Sequence, residues 1–133
     1  MSKAKILVVD DDPKLSRLVK VVLEKTGFYD VHEENRSFDV LATARTFRPD
    51  AVLLDIDMPG KDGGELAREM AADSNLKQIP VMFFTSLVSH QEAGQHEVIR
   101  SGKWFLAKPV NPAVLVRAVS RLLMSASPTA AAH

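Results

Sequence analysis

The sequence predicts an α/β domain of (βα)5 type: a five-stranded parallel sheet sandwiched between two layers of helices. Three observations lead there. Short apolar runs of strand length alternate with segments whose apolar residues recur every three or four positions. Two of those runs, residues 51–54 and 79–84, are apolar without a break, as in strands covered on both faces. Residues suited to capping or turning follow the strands, and such alternation argues for parallel strands joined through single helices by right-handed crossovers.

In chain order, Lys5-Ile6-Leu7-Val8-Val9 is the first strand. Asp12 caps the helix after it, with Pro13 at its first position, where a missing N–H costs nothing. Leu15, Leu18, Val19, Val22 and Leu23 form its inward stripe, and Gly27 stops it. Tyr29–Glu34 is a more polar strand, expected at a sheet edge. Ser37 is expected to cap a second helix carrying Val40, Leu41, Ala44 and Phe47. The third strand, Ala51–Leu54, runs into Asp55-Ile56-Asp57 and a Met58-Pro59-Gly60 turn, and Gly63-Gly64 open a helix with Leu66, Ala67, Met70 and Ala71 on one face. Ile79–Phe84 ends in Thr85-Ser86. A polar segment, Val88–Arg100, is expected as the fourth helix. Trp104–Ala107 is the fifth strand, ending at Lys108-Pro109. Asn111 and Pro112 open the last helix, with Leu115, Ala118, Val119, Leu122 and Leu123 facing in. Residues 1–124 make one domain, and 125–133, rich in Ser, Pro and Ala, are expected as a disordered tail.

The apolar strands belong at the centre and the polar one at an edge. The order 2-1-3-4-5 satisfies both demands, with its switch point between the first and third strands. That topology, flavodoxin-like, sets Asp10 and Asp11 beside Asp55 on the edge where open sheets bind ligands.

Composition narrows the chemistry. The 133 residues carry 17 basic and 17 acidic side chains, so no net charge marks the chain for nucleic acid or an anionic membrane. With no cysteine, disulfides, thiolate metal sites and thiol nucleophiles are excluded. No stretch reads as a membrane span or secretory signal, and a cytoplasmic location is expected by elimination. His32, His90, His96 and His133 share no metal-ligand spacing and read as surface residues.

Four strand ends therefore deliver Asp10 with Asp11, Asp55, Thr85 with Ser86, and Lys108. Clustered carboxylates repel and call for a cation or a raised pKa; hard oxygen donors suit Mg²⁺ or Mn²⁺. Holding a metal needs neither Lys108 nor Thr85. Clamping a phosphoryl group needs both kinds of group, and a carboxylate can itself accept one.

The segments Ile6–Pro13, Pro49–Gly60 with Asp62-Gly63, Pro80–Ser86 and Lys108-Pro109 together resemble the receiver domains of two-component response regulators, over residues 4–124 and in that family's order. The resemblance implies that Asp55 accepts a phosphoryl group from a histidine kinase or a phosphotransfer protein. It implies that Asp11, Asp55 and the backbone carbonyl of Asp57 hold Mg²⁺, with Asp10 acting mainly through water. Thr85 would bond the phosphoryl oxygen, Lys108 would pair with it, and Phe105 would follow Thr85 to remodel the face of the fourth helix, fifth strand and fifth helix. The partners implied are that phosphodonor and a downstream protein, with no direct nucleic-acid or membrane contact.

Plainer roles exist for several of these residues. Asp12 is only a cap, Thr85 and Ser86 can cap a helix, and Phe105 can be core. Asp57 and Ser86 depart from the family pattern by adding a carboxylate and a hydroxyl, and Ser101–Trp104 lacks its usual acidic approach to the fifth strand. Among rivals, Asp55-Ile56-Asp57 has the D-x-D form of haloacid-dehalogenase-type phosphatases, but not on a first strand. A flavin carrier would want hydroxyl groups and glycine where this chain has Asp10–Asp12. A receiver-shaped scaffold that is never phosphorylated is the third alternative.

Overall fold

The computed structural model describes residues 3–85, 98–100 and 103–126. Strands β1 (Ala4–Val9), β2 (Tyr29–Glu34), β3 (Ala51–Asp55), β4 (Val81–Thr85), β5 (Val98–Arg100) and β6 (Lys103–Ala107) form one sheet in the order β2-β1-β3-β4-β6-β5. Helices α1 (Pro13–Glu24), α2 (Val40–Phe47), α3 (Gly63–Ala72) and α4 (Pro112–Ala126) accompany it. The five expected strands are all parallel and take the expected order.

Successive strand residues point to opposite faces, so an unbroken apolar run fills two cores at once. Ile6, Val8, Leu53, Met82, Phe84 and Leu106 pack with Val19 and Leu23 of α1 and Leu115, Val119 and Leu122 of α4. Leu7, Val9, Val52, Leu54 and Phe83 pack on the other face with Val40 and Ala44 of α2 and Leu66 and Met70 of α3. β2 alternates, with Tyr29 and Val31 buried and Asp30 and His32 exposed, as suits an edge strand. Caps start the helices: Asp12 accepts the Lys14 amide at 3.0 Å, Asp62 the Glu65 amide at 2.8 Å and Asn111 the Ala113 amide at 2.9 Å. No helix among the described residues is long and apolar enough to cross a membrane.

Four expectations change. Val98–Arg100, assigned to the end of a fourth helix, are a strand antiparallel to β6; β-branched Val98 and Ile99 favour extended backbone and pair there with an open sheet edge. The rest of that expected helix lies outside the described residues. Leu18 is 46% exposed, while Ser16 takes the inward position with Val19 and Leu23. The two residues from 16 to 18 exceed half a helical turn, so both cannot face in. Ser37 does not cap α2. It begins a 3₁₀ turn, Ser37–Asp39, and its hydroxyl donates to the Pro59 carbonyl (3.1 Å) and accepts from the Lys61 amide (3.3 Å), two bonds in place of one cap. Last, α4 continues through Ser125, whose hydroxyl donates to the Leu122 carbonyl at 2.7 Å, so helix replaces the start of the expected tail.

Candidate functional site

Parallel register brings the functional strand ends level. Val9 pairs with Leu54, Asp55 with Phe84 and Thr85 with Ala107, so Asp10, Asp55, Thr85 and Lys108 share one edge of the sheet. The Ile56 amide donates to the Phe84 carbonyl (3.0 Å) and the Lys108 amide to the Thr85 carbonyl (3.0 Å), which extends the ladder past the strands. Helix α3 starts hard against this edge. A Cβ on Gly63 would lie 2.7 Å from the Asp55 carbonyl oxygen and 2.9 Å from the Ile56 Cα, so only glycine lets the helix approach so closely.

Asp10 and Asp55 are buried, at 0% and 1% exposure, while Asp11 is exposed. These three carboxylates each offer an oxygen within 4.8 Å of the others. Asp55 Oδ1 accepts the Asp57 amide (3.1 Å) and the Lys108 ammonium (2.8 Å). Asp10 Oδ1 accepts the Asp12 amide at 2.8 Å; its buried Oδ2 has no hydrogen bond and faces the Lys108 Nζ at 3.5 Å. Burial lifts the Asp10 carboxyl to about 6, with the Asp55 charge adding to the rise and the Asp12 amide and Lys108 opposing it. For Lys108, burial favours the neutral amine, but the hydrogen bond to Asp55 and the charges of Asp10 and Asp55 outweigh it and leave the ammonium above its ordinary range.

The Lys108 ammonium thus meets two of the three clustered carboxylates, Asp10 and Asp55, and the buried Asp10 Oδ2 remains without a hydrogen bond. Such a set of hard oxygen donors fits a divalent cation of the Mg²⁺ type. The Asp57 side chain is exposed and stands outside the cluster; its amide is what reaches Asp55. Thr85 is buried at the adjoining strand end. By register, Thr85, Phe83, Phe105 and Ala107 lie on the same sheet face, where the half-buried Phe105 ring stacks on Phe83 at 5.5 Å between centroids. A cleft of about 470 Å³ opens beside Asp11, lined in part by Asn35, Phe38 and Pro59.

Sequence reasoning missed the braces. Asn35 donates to the Asp10 carbonyl (2.7 Å) and to Ser16 Oγ (3.0 Å), and Ser16 in turn donates to Glu33 at 2.8 Å. Ser37 ties the 3₁₀ turn to the loop after β3. The pairing of Val9 with Glu34 sets residue 35 beside residue 10, so a parallel register assumed from the outset would have found Asn35.

A family model for the response regulator receiver domain matches residues 6–120. The chain is 36% identical to Protein PilH of Pseudomonas aeruginosa over 121 residues, which is 90% of this chain and 98% of that protein. It is 33% identical to the DNA-binding response regulator MtrA of Mycolicibacterium smegmatis, covering 88% of this chain but only 49% of MtrA. The solved structure of Vibrio cholerae chemotaxis protein CheY4 superposes with a TM-score of 0.77 at 28% identity, over 91% of this chain and 99% of that one. With a matching family model across most of its length, this chain belongs to the response regulator receiver domain family.

Proposed function

We propose that the chain accepts a phosphoryl group on Asp55 from the phosphohistidine of a histidine kinase or phosphotransfer protein, and signals through the resulting change at its surface. The observation that carries the reading is the Lys108 ammonium 2.8 Å from Asp55 Oδ1, within a cluster of three carboxylates. With Oδ1 held by Lys108 and the Asp57 amide, Oδ2 is the oxygen assigned to attack phosphorus. The P–N bond of the donor breaks, and its electron pair returns to the imidazole nitrogen. A divalent cation held by Asp10, Asp11, Asp55 and the Asp57 carbonyl would offset charge on the transferring group. Lys108 and the Thr85 hydroxyl take the phosphoryl oxygens.

Thr85 and Phe105 share a sheet face, which supports the reading that Thr85, drawn to the phosphoryl group, opens space that Phe105 then fills. The phosphoryl group would favour that packing through contacts only it supplies. The changed face would present β6, α4 and the segment of residues 88–97, which lies outside the described residues, to a downstream protein. A phosphatase using Asp55 and Asp57 is less well supported, since the Asp57 carboxylate is exposed and outside the cluster.

Incubation with acetyl phosphate and Mg²⁺, followed by intact mass, tests the reading. One added phosphoryl group is expected, absent in Asp55→Asn and in EDTA. No gain with acetyl phosphate or with phosphoramidate would overturn it.

A further inference from the structure

The carboxylates of the site do not stand unaided on their loop. The Asp10 carbonyl belongs to the peptide plane that also holds the Asp11 N–H, so whatever fixes that carbonyl fixes the direction in which Asp11 leaves the backbone. One side chain does so. Asn35 Nδ2 donates one hydrogen to the Asp10 carbonyl at 2.7 Å and the other to Ser16 Oγ at 3.0 Å. Ser16, fully buried in the first turns of α1, passes its own hydrogen to Glu33 Oε1 at 2.8 Å, and Arg17 Nε holds the other Glu33 oxygen at 2.8 Å. Burial favours the neutral Glu33 acid, but the bonds from Ser16 and Arg17 outweigh it and keep its carboxyl below the ordinary range, so the far end of the chain is a fixed anion. Both hydrogens of the Asn35 amide are used, and each partner sits on a different element. The amide cannot turn without losing two bonds.

We propose that Asn35 is a positioning residue for the divalent-cation site: by locking the Asp10–Asp11 peptide plane, it presents the Asp11 carboxylate to the ion in advance of binding. The proposal rests on the reading of Asp10, Asp11 and Asp55 as that site. Groups that orient metal ligands from behind raise affinity by about 10- to 100-fold, because the unbraced ligand must be ordered at the moment of binding.

The test is a Mn²⁺ titration followed by the electron paramagnetic resonance of the free ion, with thermal melting in EDTA run in parallel. Wild type is expected to bind one Mn²⁺, and Asp11→Asn to lose it. Asn35→Ala is expected to weaken Mn²⁺ binding by about tenfold while its loss of melting temperature in EDTA resembles that of Thr43→Ala. Thr43 bonds the Glu34 carboxylate at 2.6 Å and so braces the same end of β2 without touching Asp10; its variant should bind Mn²⁺ as wild type does. Ser16→Ala, which removes the second anchor of the amide together with the bond to Glu33 but leaves the bond to the Asp10 carbonyl, should fall between. Wild-type affinity in both Asn35→Ala and Ser16→Ala would overturn the proposal, as would an equal loss in Thr43→Ala. Failure of wild type to bind Mn²⁺ would overturn the site itself, a separate and recognisable result.

Discussion

Strands β1 and β3 both lead into a buried carboxylate at the same sheet edge, Asp10 and Asp55, yet their surroundings prepare it differently. Asp55 has an oxygen already held by two donors, the Asp57 amide and the Lys108 ammonium, so its negative charge is compensated within the protein. Asp10 has one amide bond, a buried oxygen with no hydrogen bond, and a carboxyl lifted to about 6 by burial first of all. The β3 loop is also pinned from behind by α3 at Gly63 and from the side by Ser37. The β1 loop is braced by Asn35. On the proposed function, Asp55 is the carboxylate prepared to react, and Asp10 is the one that gains most when a cation arrives.

Removing the shared partner should disturb both loops most. In EDTA, Lys108→Ala leaves two buried carboxylates without their ammonium and is expected to cost about 2–3 kcal/mol by urea denaturation. Added Mg²⁺ should recover part of that loss. A loss no greater in EDTA than in Mg²⁺ would break the picture of a common counter-charge.

Next in size is Gly63→Ala, which pushes a Cβ into the Asp55 and Ile56 backbone and should cost about 1–3 kcal/mol. Gly64→Ala meets only the Asp62 carboxylate and the end of Arg68, and the gain in helix propensity should leave it neutral or slightly stabilising. Equal effects in the two variants would show that α3 is not pressed against β3 as described.

The Asp10 carboxyl gives the comparison a pH signature. Its folded-state value, about 6, lies above that of the unfolded chain, so in EDTA the folded state binds the extra proton between about 4 and 6. Its contribution to stability is present in full below that window and is lost as pH rises through it. Asp10→Asn should remove this slope and make the metal-free protein relatively more stable at pH 7.5, by on the order of 1–2 kcal/mol. Metal binding must expel the same proton, so Mg²⁺ affinity should rise with pH up to about 6, approaching tenfold per unit, and level off above it. An affinity flat from pH 5 to 7 would contradict the assignment.

The smallest effect belongs to Asp57→Asn. Its exposed side chain can go while its backbone amide stays, so phosphoryl gain from acetyl phosphate should persist with less than about a twofold change in rate. A large loss would revive the two-aspartate phosphatase reading.

Strand order and the residues of the cluster were legible because apolar runs and strand-end residues are local signals. Parallel pairing then turned distance along the chain into proximity, and Asp10, Asp11, Asp55 and Lys108 meet as that pairing implies. What stayed hidden depends on more than one element. Ser37 looks like a helix cap until the turn around Gly60, at φ +85°, comes within reach of it. Ser16 interrupts an apolar stripe and reads as an outward position; its burial follows from Glu33 and Asn35 across from it. Val98–Arg100 carry a helix-length polar segment before them, and only the neighbouring edge of β6 makes them a strand.

Of all these carboxylates, Asp55 is the one expected to become covalently modified. An acyl phosphate is reduced by borohydride to an alcohol, which would convert a phosphorylated aspartate to homoserine and mark its position permanently. After incubation with acetyl phosphate and Mg²⁺, reduction and tandem mass spectrometry should place homoserine at residue 55. Homoserine at 10, 11 or 57 instead, or at none of them despite a gain of phosphoryl mass, would contradict phosphorylation of Asp55.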